Sequence, residues 1–250
     1  CQAVGTTKNN SVKAIEEFES FVRRELNATA QRRMAVLHPL KLVLDGWPTD
    51  DNGNPVVEWF ELVNNPENPD DGTRRVPFTG ELWIEADDFR EDPPRKFFRL
   101  SPGREVRLRG AYLVTATDVV KNPDGTIAEV HASYDPESRG GTAPDGRKVK
   151  STMHWVSAAH AIPVTVNLYD RLFSAEIPGS QTGEALDDLN PHSRETLTEV
   201  MAEPALADVA AGEVVQFERL GYFAADGVAT VFHRTVGLRD EWAQLQKRQA

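Results

Sequence analysis

The sequence predicts a mainly β fold of two small antiparallel β-barrels, preceded by an N-terminal helix. From Met34 onward, short runs rich in Val, Leu, Phe and Trp are separated by clusters of Pro, Gly, Asn and Asp, a pattern typical of β proteins. Two segments, 122–125 and 225–227, have the composition of hairpin turns, with glycine expected to supply a positive φ. About a dozen such runs exceed what one small barrel uses, and closed barrels leave no open strand edges.

The one expected helix precedes the strands. Ser11 can cap a segment that runs to Leu26, and its apolar residues recur every three or four positions: Val12, Ile15, Phe18, Val22 and Leu26. This apolar stripe needs a surface to pack on. We expect that surface to come from the strands that follow, or from chain upstream of Cys1.

The strands are expected in the order 34–44, 56–62, 80–84, 105–108, 112–119, 127–134, 153–156, 164–168, 214–218, 222–224 and 229–234. Their lengths and alternating apolar residues are typical of half-buried strands. Two longer polar segments, 65–73 and 137–148, are expected to be loops.

The composition favours a folded protein of the cytoplasm. Hydrophobic residues make up 40% of the 250, and the chain is long enough to bury a sizeable core. No apolar run approaches the ~18 to 20 residues that a membrane-spanning helix needs, and no apolar signal segment occurs at the N-terminus. The single cysteine, Cys1, excludes an internal disulfide and a multi-cysteine metal site.

A basic segment stands out in this acidic chain. The net charge of −11 argues against general nucleic-acid binding, because phosphate binding relies on clustered lysine and arginine. Residues 95–109, however, contain six basic residues and one acid. A strand over 105–109 would bury Val106 and Leu108 and place Arg107 and Arg109 on one outward face. Those guanidinium groups could contact base edges or phosphates; a solvated strand face with scattered arginines is the alternative.

The sequence contains no recognisable catalytic centre or metal site. The glycine-containing loop 141–148 lacks the Lys-Ser/Thr ending of a phosphate-binding loop. The six histidines are scattered, and we expect them in the core or at its rim. No Gly-x-Ser-x-Gly elbow occurs, and the pairs Asp87-Asp88 and Asp187-Asp188 are expected to be solvated. We therefore expect no catalytic residue, metal site or cofactor in this chain.

Five segments, read in order, closely resemble the C-terminal half of bacterial glutaminyl-tRNA synthetases, which are class I aminoacyl-tRNA synthetases. They are RRMAV at 32–36, VPFTGELWI at 76–84, VRLR at 106–109, HWVSAAHA at 154–161 and TVGLRD at 235–240. The match is collinear over almost the whole chain. The family's catalytic domain, with its class I signature sequences, is missing from these 250 residues, so we expect a fragment or an excised domain of the enzyme.

The resemblance implies a domain organisation. In this family the C-terminal half consists of two ribosomal-protein-like barrels, a proximal one interrupted by a distal one, which together grip the anticodon. By resemblance, residues 29–87 and 173–250 would form the proximal barrel and residues 88–172 the distal barrel. Residues 1–28 would be the helical tail of the connector to the catalytic domain.

The resemblance also implies which residues contact RNA. Arg32 and Gln216 match proximal-barrel residues that read the middle anticodon base. Arg99 matches a distal-barrel residue at the third base, and Arg107 and Arg109 match the pair at the first base.

One position departs from the family pattern. Lysine can occupy the position before Arg99, whereas this chain has Phe98. The departure removes a charged contact, but an aromatic ring can stack on an unstacked base. Phe98 is therefore the sixth predicted RNA-binding residue.

The function implied by the resemblance is recognition of the anticodon loop of glutamine tRNA. The parent enzyme would ligate glutamine to its tRNA with ATP and Mg, and this chain alone would be inactive. We expect glutamine tRNA as the partner, no DNA, no membrane and a monomer. The alternatives are the same region of a eukaryotic-type glutamyl-tRNA synthetase and a ribosomal-protein-like barrel that binds 5S rRNA; the match of Arg32 and Gln216 to one base favours the synthetase.

Overall fold

The computed structural model describes residues 15–239, and most of their regular structure is β, which confirms the predicted mainly β class. No helix in this range is long and apolar enough to cross a membrane. The elements are α1 Ile15–Thr29, β1 Arg32–Arg33, β2 Ala35–Val36, β3 Pro39–Leu44, β4 Glu58–Val63, β5 Thr73–Phe78, β6 Glu81–Glu85, β7 Glu105–Leu108, β8 Leu113–Lys121, β9 Ile127–Asp135, β10 Thr152–Met153, β11 Val156–Ser157, β12 Ile162–Tyr169, β13 Arg194–Ala202, β14 Val214–Phe217, β15 Gly221–Ala225 and β16 Val231–Gly237.

Seven strands form a first barrel in the order β10-β7-β8-β9-β3-β6-β11. Its two edge strands, β10 and β11, are separated in the chain by only His154 and Trp155. Because consecutive Cα atoms are ~3.8 Å apart, the two edges of the sheet must lie close together, and the sheet curls on itself. Its interior holds Trp155 and Phe78, both fully buried, with ring centroids 4.8 Å apart.

Seven further strands form a second barrel in the order β1-β14-β15-β16-β12-β13-β2. The edge strands β1 and β2 are separated by Met34 alone, so this sheet also brings its edges together. Phe217 stacks on Phe223 at 4.1 Å inside it, and Phe232 meets Phe217 edge-on at 5.4 Å. Strands β4 and β5 form a separate two-stranded sheet.

The first barrel is inserted into the second, which confirms the predicted insertion, because all its strands lie between β2 and β12. Sheet membership changes between residues 36 and 39 and between 157 and 162, whereas the predicted boundaries are 88 and 172. The difference arises because β3 pairs with β6 on one side and with β9 on the other. The assignment of 29–87 with 173–250 and of 88–172 to proximal and distal RNA-binding units stays a prediction.

Both barrels contain parallel as well as antiparallel strand pairs, whereas the sequence predicts purely antiparallel barrels. Four strand pairs run parallel: β1 with β14, β3 with β9, β7 with β10 and β12 with β16. The very short edge strands account for two of these pairs. Each is a brief extended stretch at one edge of its sheet.

Helix α1 packs one end of its apolar stripe on the second barrel. Val22 and Leu26 contact the buried cluster of Ala30, Tyr222 and Val236, while Ile15 and Phe18 remain about half exposed. The predicted cap Ser11 and the first apolar residue, Val12, lie outside the described residues. The barrel therefore supplies a partner for the C-terminal part of the stripe.

Candidate RNA-binding surface

The structure brings Arg32 and Gln216 together, although 184 positions separate them. Strand β1 runs parallel to β14 with Arg32 directly opposite Gln216. The Arg32 guanidinium donates to the backbone oxygens of Ala30 and Asn27, which fix its orientation. The side-chain amide of Gln216 makes no hydrogen bond with any of residues 15–239, and Arg32 and Gln216 are both buried, at 6% and 9% exposed.

Arg99 is fixed by a buried carboxylate. Its Nη1 donates to Asp88 Oδ1, and the Asp88 side chain is fully buried. Arg219 holds the same carboxylate with two hydrogen bonds of 2.5 and 2.7 Å. Burial alone would raise the pKa of Asp88, but hydrogen bonding to Arg219 and the charges of Arg219 and Arg99 lower it overall. Asp88 is therefore an anion that orients two arginines, which corrects its prediction as a solvated loop acid.

The predicted alternation over residues 105–109 is confirmed. Val106 and Leu108 are fully buried, while Arg107 and Arg109 are partly exposed. Arg107 donates from Nε to the Gly141 carbonyl, and Arg109 Nε lies 3.0 Å from Glu218 Oε2. Both guanidinium groups are thus held in place at the edge of the first barrel.

Phe98 is 54% exposed. It lies in the loop before β7, and the Arg104 Cζ and Lys150 Nζ atoms lie 5.9 and 5.8 Å from its ring centroid. A cation at this distance is attracted to the face of an aromatic ring. The ring is therefore surrounded by positive charge and open to solvent.

Four cations in the two loops that contain Phe98 and Lys150 form no ion pair within the described residues. Arg95, Lys96, Lys148 and Lys150 are exposed, and none of them forms an ion pair within the described part of the chain. They differ in this respect from Arg99 and Arg109, whose positive charges are paired with carboxylates. Unpaired cations on an acidic protein are suited to a polyanionic ligand.

Two residues of the candidate surface, Glu218 and Arg219, were not predicted from the sequence. They follow Gln216 at the end of β14, and Arg219 adopts a left-handed backbone conformation with φ of 69°. Glu218 reaches Arg109, and Arg219 reaches Asp88. The acid–base succession Glu218-Arg219 is a weak signal, since its partners are more than 100 residues away.

His154 is a core histidine, as expected, whereas His38 and His192 are exposed and do not fit the expected core or rim positions. His154 is 1% exposed, with Nδ1 3.2 Å from Arg219 Nη1 and Nε2 3.5 Å from Glu85 Oε1. Among residues 15–239, no group of three His, Cys, Asp or Glu side chains is placed to hold a metal ion.

Comparisons with known proteins identify the family. A family model described as tRNA synthetases class I (E and Q), anti-codon binding domain, matches residues 30–135, and a second model with the same description matches residues 152–226. The chain belongs to this family of anticodon-binding domains. Both barrels carry the match, since residues 30–135 include β1 to β9 and residues 152–226 include β10 to β15.

Several bacterial proteins named glutamine–tRNA ligase are similar to this anticodon-binding chain. Those of Nitrobacter winogradskyi and Rhodopirellula baltica are each 50% identical, over 97% and 99% of the chain. That of Citrobacter koseri is 44% identical over 98% of the chain. The chain spans 43%, 41% and 44% of the length of these three relatives.

Proposed function

We propose that this chain recognises the anticodon loop of glutamine tRNA as the C-terminal part of a glutamine–tRNA ligase. The observation that carries the proposal is the convergence of candidate residues on the end of β14. Gln216 is opposite Arg32, Glu218 pairs with Arg109, and Arg219 holds Asp88, which in turn holds Arg99. Residues assigned to three different bases are thus linked around one strand end.

Each anticodon position has its own donors in this proposal. Arg32 and Gln216 read the middle base, for which the Gln216 amide supplies both a donor and an acceptor. Arg99 reads the third base, and Arg107 and Arg109 read the first. Splayed bases of a single-stranded loop expose the edges that these side chains can reach.

Phe98 and the unpaired cations have a different role. The exposed ring of Phe98 offers a stacking surface, which tolerates any base. Arg95 and Lys96 lie in a loop after two prolines, where a mobile positive charge contacts phosphate and not a base edge. These contacts position the loop for the arginines that read it.

The name of the similar proteins is glutamine–tRNA ligase, and we propose that the parent protein joins glutamine to its tRNA with ATP and Mg. We propose that it acts in the cytoplasm as a monomer. The chain described here carries only the RNA-recognition part, so it should show no ATP–pyrophosphate exchange with glutamine, with or without tRNA. Exchange above the buffer background in a clean preparation would contradict this assignment.

Selection among whole tRNAs tests the proposed partner. The chain should bind glutamine tRNA more tightly than glutamate tRNA or an unrelated tRNA in filter-binding competition at one fixed salt concentration. The family covers both the glutamate and the glutamine enzymes, so a preference for glutamate tRNA would indicate the glutamyl enzyme. Equal binding of all three would contradict anticodon recognition.

A further inference from the structure

We propose that a cavity at the surface of the first barrel binds a small flat organic cation, an amidinium or guanidinium carried on an apolar body. The cavity has a volume of about 400 Å³. It is lined by the end of β3, the loop 45–57 that joins β3 to β4, the turn between β5 and β6, and the residues Ala159 and His160. None of the six predicted RNA-binding residues lines it, so this inference is independent of the proposed function.

Most of the cavity wall is apolar, and Trp47 supplies its aromatic part. The indole of Trp47 packs against Phe78 and Tyr134, with ring centroids 5.1 Å apart in both pairs, and its Nε1 donates to the Val56 carbonyl. Trp47 lies so close to Gly80 that a Cβ atom at that glycine would be 2.6 Å from the Trp47 side chain. The indole is therefore fixed in orientation, and a flat apolar body can pack on it.

A chain of hydrogen bonds fixes the tautomer of His160. The Thr79 hydroxyl donates its one hydrogen to the Glu81 carbonyl, so the hydrogen bond between Thr79 and Ser157 is donated by Ser157. Because Ser157 has no second hydrogen, it accepts from His160 Nδ1, which lies 3.0 Å away. The neutral imidazole then carries no hydrogen on Nε2. This Nε2 atom makes no hydrogen bond with any of residues 15–239, so it can accept one from a ligand.

The carboxylates that line the cavity differ in their free oxygens. Asp45 and Glu81 are both lining residues, whereas none of the lining residues in the described chain is a lysine or an arginine. The two Asp45 oxygens are already used, by His131 and by Thr117. Glu81 is paired with Lys41 through Oε2, at 2.9 Å, which leaves Glu81 Oε1 without a partner within residues 15–239.

The chemistry of these groups selects a cation. Glu81 Oε1 and His160 Nε2 both accept hydrogen bonds, and Trp47 adds an aromatic surface. An amidinium or guanidinium fits this set because it is flat, positively charged and carries only donors. An anionic ligand would be repelled by the two carboxylates, and a neutral ligand would lack the charge of both partners in its hydrogen bond to Glu81.

Three compounds of similar shape and different charge test the site: benzamidine, benzamide and benzoate. Binding is followed by NMR through the indole N–H signal of Trp47, which is assigned by its loss in Trp47→Phe. The proteins are the wild type, Glu81→Gln and, as a matched control, Glu61→Gln, which changes an exposed carboxylate outside the cavity. A fourth protein, His160→Phe, keeps a ring but removes Nε2. Thermal unfolding checks that each variant is folded.

Benzamidine should shift the Trp47 signal of the wild type and bind about tenfold or more tightly than benzamide, because its hydrogen bond to Glu81 is charge-assisted. Benzoate should not compete with it. Glu81→Gln should lose most of the preference for benzamidine over benzamide, and Glu61→Gln should keep it. His160→Phe should weaken benzamidine binding several-fold, because one acceptor is lost.

Failure of benzamidine to bind, or equal binding of the three compounds to the wild type, would overturn the cation site. Benzamidine binding that leaves the Trp47 signal unmoved would place the ligand outside this cavity. Equal losses of preference in Glu81→Gln and Glu61→Gln would show that the net charge of the protein selects the cation and that the cavity does not. Unchanged benzamidine binding in His160→Phe would contradict the role of Nε2.

Discussion

At the scale of single residues, the basic side chains of the candidate surface form two groups. Some are anchored by contacts with other residues of the chain, and others have no ion pair within residues 15–239. Arg107 and Arg109 are anchored by Gly141 and Glu218, whereas Arg95 and Lys96 have no ion pair within residues 15–239. A side chain that distinguishes one base from another must have a fixed orientation, since discrimination between bases depends on geometry within fractions of an ångström. A phosphate contact needs only charge.

This division predicts two kinds of variant. Arg107→Ala or Arg109→Ala should cost ~1 to 3 kcal/mol of binding free energy and reduce discrimination at one anticodon position. The matched controls Arg95→Ala and Lys96→Ala should weaken binding to all anticodon variants alike and flatten the salt dependence. The measurement is binding of cognate and single-base variant loops at two salt concentrations. A uniform loss of affinity in the Arg107 and Arg109 variants would make that pair a generic phosphate contact.

Because of Asp88, we expect the free energy of unfolding to fall at acid pH. The pKa of Asp88 is lowered in the folded chain, so its carboxylate stabilises the fold above the unfolded pKa of ~3.9, and this contribution is lost as the pH falls below that value. Urea unfolding between pH 5 and pH 2.5 should therefore show a steeper decline for the wild type than for Asp88→Asn. Asp51→Asn, at an exposed position with no ion pair or side-chain hydrogen bond within residues 15–239, serves as the control. Equal slopes for the wild type and Asp88→Asn would contradict this role.

The sequence could not reveal the burial of Asp88, because its two arginine partners lie 11 and 131 positions away. The neighbouring sequence shows only that Asp87 and Asp88 are two adjacent acids in an expected turn, and such acids are usually solvated. The burial of Val106 and Leu108, in contrast, follows from local alternation alone. Residue environments set by the nearest neighbours were predictable, and those set by a distant ion pair were not.

At the scale of elements, the sequence did not predict three strands: the two-residue β1 and the longer β5 and β13. Strand β5 contains two arginines and a proline, and β13 is rich in Glu, Thr and other polar residues with most side chains exposed. Each is defined by its neighbour, since β5 pairs along its whole length with β4 and β13 pairs with β12. Tertiary pairing therefore outweighs a weak intrinsic preference.

Turn chemistry was predictable in one hairpin and not in the other. Gly125 has the expected positive φ of 86° in the turn between β8 and β9. Between β15 and β16, the positive φ of 61° belongs to Thr230, not to Gly227, because the connection extends to Thr230 before β16 begins. The sequence can thus predict that two strands form a hairpin even where it does not predict the exact length of the connecting loop.

The β4–β5 hairpin is attached to the second barrel by a buried ion pair. Glu203 is 1% exposed, receives two hydrogen bonds from Arg74 at 2.5 and 3.0 Å, and also accepts from the Met34 amide. Met34 lies between β1, which carries Arg32, and β2. The pair therefore supports both the hairpin and the strand that positions Arg32.

Glu203→Gln should lower the free energy of unfolding by ~3 to 5 kcal/mol, because it leaves the buried guanidinium of Arg74 without its counter-charge. Lys121→Ala is the matched control, since it removes an ion pair to Glu91 that is about half exposed and should cost no more than ~1 kcal/mol. Both values come from urea unfolding at pH 7. Similar losses of unfolding free energy in the two variants would show that the buried Glu203 pair contributes no more to stability than an exposed pair.

At the scale of the whole molecule, ion pairs join the two barrels on the side where the candidate surface lies. Arg109 and Asp88 belong to the first barrel or its connections, and their partners Glu218 and Arg219 follow β14 of the second. Strand pairs such as β1 with β14 connect residues too far apart for sequence patterns to predict. The resemblance supplied the correspondence of Arg32 with Gln216, and the structure shows the pairing that makes it physically reasonable.

The middle anticodon base tests most directly whether side chains at the end of β14 read anticodon bases. Binding of the wild type and of Gln216→Met, which keeps the length of the side chain but removes its amide, should be measured against the cognate stem-loop and a loop with the middle base changed. The wild type should prefer the cognate loop by about tenfold or more, and Gln216→Met should lose most of this preference while its affinity for the changed loop stays nearly constant. Equal preference in the two proteins, or none in the wild type, would contradict base recognition by Gln216.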